Sequence, residues 1–107
     1  MATQIVFASY KPKEGKEIEL LELIKKHVPT LRELELITDR PALTMKSKDG
    51  TFIEVIEWND VASADRAHEH PAIAKIWESM EAISTFVPIG KLAEAEKTFS
   101  HYEVISI

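Results

Sequence analysis

The chain has 107 residues, 45% of them hydrophobic and 29% charged, a balance that fits a single small globular domain over residues 1–107. Thirteen basic against eighteen acidic residues give a formal net charge of −5. The basic footprint that recruits phosphate backbones or anionic lipid is therefore missing, and neither nucleic acid nor a membrane is an expected partner. No cysteine is present, which excludes disulfides, thiolate nucleophiles and cysteine-held metal or iron–sulfur centres. Apolar runs are short, and "MATQIVFASYKPKEG" lacks a basic segment followed by a long apolar one, so a cytoplasmic protein is expected.

In chain order, "TQIVFASY" (Thr3–Tyr10) is rich in β-branched and aromatic residues and reads as a strand closed by Lys11-Pro12. A helix follows from about Gly15 to Val28. Ile18, Leu21, Ile24 and Val28 recur at helical spacing, with Leu20 and Leu23 widening the stripe. Glu14, Glu17 and Glu19 at its start and Lys25, Lys26 and His27 at its end complement the helix dipole, and Pro29 ends or kinks it. A turn and an irregular strand disturbed by Pro41 lead into a hairpin at Asp49-Gly50, then into the clearest strand, Thr51–Trp58. Residues 59–84 read as a broken helix. Asn59 or Asp60 caps the first piece, Pro71 restarts the second, and Ile73, Ile76, Trp77, Met80 and Ile83 form its apolar stripe. A loop with one short helix then leads to a closing strand in "SHYEVISI".

The order β-α-β-β-α-β is the ferredoxin-like arrangement, an α+β fold with two helices on one face of a four-stranded antiparallel sheet. The strands are apolar on both faces. Ile53 and Val55 alternate with Phe52, Ile56 and Trp58, and Ile5 and Phe7 with Val6, Ala8 and Tyr10. Leaving such side chains wet forfeits roughly 1.5–3 kcal/mol each, so both faces need cover. The simplest cover is a second copy, two curved sheets closing face to face into a barrel with an interior cavity.

At this point the chain resembles the dimeric α+β barrel superfamily, and within it the antibiotic-biosynthesis-monooxygenase-like (ABM-like) proteins. The resemblance is carried by "KPKEGKE", "DGTFIEVIEW" and "AHEHPAIAKIW", with Glu57-Trp58 at a strand end, a capped helix, and His68 about ten residues on. It implies a homodimer that uses no cofactor: a monooxygenase-like, isomerase-like or decarboxylating enzyme, a haem-degrading one, or a protein without activity. Haem-degrading members use an Asn of the first strand with a Trp and a His of the second helix. "TQIVFASY" has no Asn, His68 stands where that Trp would fall, and Trp77 stands near where that His would. Haem degradation is therefore not expected.

Strand alternation groups Glu54 with Phe52, Ile56 and Trp58 on the cavity side. Glu54 and His68 are the candidate acid/base pair, acting on a small apolar acid or phenol. Trp58, Tyr10, Phe52, Ile56 and Tyr102 are the candidate ligand-binding residues. The competing reading pairs Glu54 with Lys46 or Arg40 across the hairpin and leaves His68 to anchor its helix. Trp77 and Met80 read as core by periodicity, and Arg40 and Lys46 as exposed charge. No metal site is expected, because His68 and His70 are two apart and a helical pair needs i,i+4 spacing. Two further outcomes stay open: a cavity that binds a small molecule without turning it over, and a dimer with no cavity at all.

Overall fold

A computed structural model describes residues 2–106. Strand β1 (Gln4–Pro12) is followed by helix α1 (Glu17–Glu33) and by β2 (Leu43–Lys46) and β3 (Phe52–Trp58). Helices α2 (Val61–Glu69) and α3 (Pro71–Ile83) come next, then β4 (Ser84–Phe86) and, after two short 3-10 turns, β5 (Glu103–Val104). The antiparallel sheet has five strands in the order β4-β1-β3-β2-β5. The expected sheet had four. The fourth position, beside β1, is taken by β4, a three-residue strand too short to signal itself within the expected loop. The C-terminal strand goes to the opposite edge, beside β2, and only two of its residues pair.

The hairpin forms at Asp49-Gly50, with Gly50 at φ 93°. The Asp49 carboxylate accepts bonds from the Ser47 hydroxyl and the Thr51 backbone N–H, which hold its pKa down at about 2.

The first helix differs from the expected one in length and in register. Gly15 takes a positive φ of 77° and belongs to the preceding turn. At the other end, α1 runs through Pro29 to Glu33. Proline removes one donor, but the four residues beyond it include Leu31, which is fully buried and repays the lost bond. The helix closes with the bonds of a Schellman motif, Leu36 N–H to Leu31 O and Glu35 N–H to Arg32 O, each 3.0 Å. Glu35, rather than a glycine, holds the left-handed position at φ 58°. The buried stripe is Leu20, Ile24, His27 and Leu31, and Ile18 of the expected stripe is exposed.

Pro71 restarts the helix as expected. The Asp60 carboxylate caps α2 by accepting from Ser63 N–H at 2.8 Å. His70 caps α3, its Nδ1 accepting from Ala72 N–H at 3.2 Å.

The ladder sorts side chains onto two faces, because directly paired residues share a side. On the helix side lie Gln4–Trp58, Val6–Ile56, Ala8–Glu54–Thr44 and Tyr10–Phe52–Lys46. Two apolar clusters form there. One gathers Leu31, Leu36, Ile37, Ile56, Trp58, Ala67 and Ile73, the other Tyr10, Leu20, Ile24, Phe52 and Met80. On the outer side lie Phe7–Val55–Leu43 and Ser9–Ile53–Met45–Val104.

Candidate functional site

Between the two apolar clusters a hydrogen-bonded chain of four side chains crosses from sheet to helices. β3 is the middle strand, and alternation turns Glu54 toward the helices, where it is 1% exposed. Tyr10 of β1 lies diagonally across the ladder and donates its hydroxyl to Glu54 Oε1 at 2.6 Å. From above, His27 of α1 brings Nδ1 to 3.0 Å from Oε1 and 3.1 Å from Oε2 of the same carboxylate. Trp77 of α3 donates its indole N–H to His27 Nε2 at 2.8 Å.

The chemistry of these groups orients the chain. Indole N–H only donates, so His27 Nε2 must accept and its proton sits on Nδ1, which donates to Glu54. A carboxylate receiving two donors in a dry interior is satisfied without a cation. Burial, reinforced by the charge of Glu54 and the bond to it, raises the Tyr10 hydroxyl well above the usual tyrosine range, so Tyr10 keeps its proton.

A cavity of about 310 Å³ opens over this chain. Tyr10, His27 and Trp77 form its polar side, and Val6, Ala8, Ile56, Trp58, Ala64 and Phe86 supply apolar walls. His68, on the last turn of α2, stands exposed at its mouth, its ring 4.7 Å from that of Trp77 in an edge-on arrangement. Phe86 meets Tyr10 edge-on at 5.2 Å. A larger hollow of about 520 Å³ lies by Lys48, Lys91, Lys97 and Phe99, all exposed side chains.

Of the residues singled out from sequence, Tyr10, Ile56, Trp58 and His68 line the cavity, and Glu54 lies beneath it, bonded to Tyr10 and His27. Phe52 is buried in the core beside Tyr10 and Leu20, outside the lining. Tyr102 lies away from this site, in a groove with Lys46, Ser47 and Glu103. The carboxylate's partner is His27, not His68. Nor does Glu54 pair across the hairpin: Arg40 binds Glu57 at 3.0 Å, and Lys46 lies over the Phe52 ring. Bonds from Thr38, Thr3 and Arg40 hold the Glu57 carboxyl below its usual range.

The cavity lies between the sheet and the helices of one chain, because Glu54 shares the helix side. The barrel interior expected between two sheets would lie on the other side.

A helix that ends or kinks at Pro29 makes His27 a terminal, dipole-facing residue, so the sequence does not single it out. With the helix continued, Leu20, Ile24, His27 and Leu31 follow 4-3-4 spacing, and a lone histidine in an apolar seam is the signal. Trp77 does pack into the core, but it also carries the N–H that completes the chain.

Among the described residues no cluster of three or more His, Asp or Glu is placed to hold a metal ion. Among the same residues no helix is long and apolar enough to cross a membrane.

No family model matches the chain, and no curated protein matches it. Among solved structures it is similar to a mutant form of SnoaB, a cofactor-independent oxygenase from Streptomyces nogalater. The TM-score is 0.62 at 17% identity, over 78% of this chain and 85% of that one. The likeness shows the fold alone, a mixed α+β architecture of antiparallel sheet and helices.

Proposed function

We propose that the cavity over Glu54 is the site of a monooxygenase-like or proton-transfer enzyme that needs no cofactor and acts on a small aromatic molecule. The single observation that carries this reading is a carboxylate placed in the core with two donors and no cation, directly under an apolar cavity. Such a group costs stability compared with an apolar residue, and a buried carboxylate beside a cavity is a common feature of functional sites.

The chain supplies a route for one proton. Tyr10 donates to Glu54, so its oxygen lone pairs are free to accept from a ligand hydroxyl in the cavity. As that proton reaches Tyr10 Oη, the Tyr10 proton passes to Glu54 Oε1, and the negative charge moves from Glu54 to the ligand oxygen. His27 Nδ1–H remains bonded to the carboxyl throughout. The ligand anion serves either chemistry: reprotonation at carbon gives an isomer, and attack on dioxygen starts an oxygenation. The oxygenase described for SnoaB supports the second outcome at the level of fold.

The experiment is a fluorescence titration of wild type and Glu54→Gln with 2-naphthol, whose neutral and anionic forms emit differently. Wild type should shift part of the bound ligand to the anion, and Glu54→Gln should bind it without the shift. Binding without ionisation in both proteins would support the non-catalytic alternative. That reading is favoured by one observation: Trp77 occupies the outer nitrogen of His27, so no free imidazole nitrogen of His27 meets a ligand.

The outer sheet face supports a second part of the proposal, a homodimer. Ile5, Phe7, Leu43 and Val104 on that face are 47, 52, 40 and 63% exposed, a patch that fits a second copy of itself.

A further inference from the structure

We propose that Trp77 is a positioning residue that sets the charge of the cavity floor, and that the cavity therefore selects uncharged, hydroxyl-bearing aromatic ligands over carboxylates. This rests on the reading of the cavity as the functional site.

His27 Nε2 lies 2.8 Å from an indole nitrogen whose hydrogen points at it. A doubly protonated imidazole would set two donors face to face there, so the ring is held neutral with its proton on Nδ1. The groups around His27 offer no other charge. Glu54 faces it from β3 and Tyr10 lies beyond Glu54 on β1. On α1 the residues one turn away are Leu23, Ile24, Thr30 and Leu31, and α3 presents Trp77. His68 of α2 meets the Trp77 ring edge-on, 4.7 Å between centroids. The four linked side chains thus carry the single negative charge of Glu54. None of the ten residues lining the cavity is Lys or Arg.

A ligand entering this space meets a lone pair on Tyr10 and a carboxylate behind it, within apolar walls. A hydroxyl can donate into that arrangement. A carboxylate would bring a second negative charge close to Glu54, with no Lys or Arg in the lining to receive it. At about 310 Å³ the space is at the small end for ligand pockets, which limits the ligand to a compact ring system. This narrows the ligand range read from sequence, which admitted a small acid.

The test has two arms. Long-range proton–nitrogen NMR of the histidines at neutral pH reads the tautomer of His27 directly. Wild type should show Nδ1 protonated and Nε2 bare, and Trp77→Phe should lose that pattern and let a proton reach Nε2. Calorimetry with 2-naphthol and 2-naphthoate reads selection. Wild type should prefer the naphthol at least tenfold, and Trp77→Phe should narrow that ratio. Lys97→Ala, an exposed change outside the cavity lining, should keep both the tautomer and the preference.

An Nε2-protonated His27 in wild type would overturn the proposal without any variant, so a misfolded Trp77→Phe does not shelter it. An unchanged ratio in a folded Trp77→Phe would overturn the selection. If the tautomer is as stated and neither probe binds, the reading of the cavity as a ligand site fails, while the positioning role of Trp77 survives.

Discussion

The two faces of the sheet break the ordinary partition of polar and apolar groups in opposite senses. Toward the helices, in the middle of β3, a carboxylate is buried where an aliphatic residue would pack. On the outer face, Phe7 and Leu43 stand in the light of solvent where polar residues would serve a monomer better. Each departure runs against the stability of an isolated chain. Under the function proposed above, the inner one serves a ligand and the outer one a second copy of the chain. The inner anomaly is satisfied within the chain by Tyr10 and His27, whereas the outer one is left unsatisfied.

That contrast can be broken most directly on the outer face. Phe7→Asp should leave the fold of the single chain nearly unchanged, within ~0.5 kcal/mol. It should nevertheless convert a sedimenting dimer at micromolar concentration to a single subunit. A wild type that already sediments as one subunit would remove the outer half of the comparison. On the inner face the same size of change should act on stability instead. Glu54→Ala orphans the Tyr10 hydroxyl and the His27 Nδ1–H and opens a void, and urea unfolding should show a loss of about 3–5 kcal/mol.

Tyr10→Phe removes one bond and should cost about 1–2 kcal/mol. It should also change the alkaline limb. The folded chain holds the Tyr10 proton where the unfolded chain releases it, near pH ~10. Stability from this group is therefore fully present below that pH and falls as pH rises above it. Tyr10→Phe should lose that part of the slope. Glu35→Gly, remote from both faces, sets the baseline. Relief of the left-handed backbone should raise stability by about 0.5–1 kcal/mol, with ligand binding unaffected.

Much of the fold was legible because local chemistry and tertiary packing agreed. Asp49-Gly50 makes its turn, Thr51–Trp58 holds the central strand within one residue, and Pro71 restarts a helix where its ring is tolerated. The errors arose where packing overrode a local rule. Pro29 did not stop α1 because Leu31 lies beyond it in the core, and β4 is too brief to carry a periodic pattern. The site was half legible for the same reason. Strand alternation placed Glu54, Ile56 and Trp58 on one side of β3, and Tyr10 with Val6 and Ala8 on one side of β1, since period-two geometry is stiff. The helical half was harder to read. His27 depended on the helix passing a proline, and Trp77 depended on which edge of its ring emerged from the core.

The joint at His70-Pro71 has a geometric consequence for that half of the site. Nine positions separate His68 from Trp77, and an uninterrupted helix would rotate them through roughly 900°, leaving them back to back. The interruption resets the winding, and the two rings meet 4.7 Å apart. The proline thus works as a phase adjuster, letting one continuous stretch of chain turn two otherwise opposed side chains toward the same small volume.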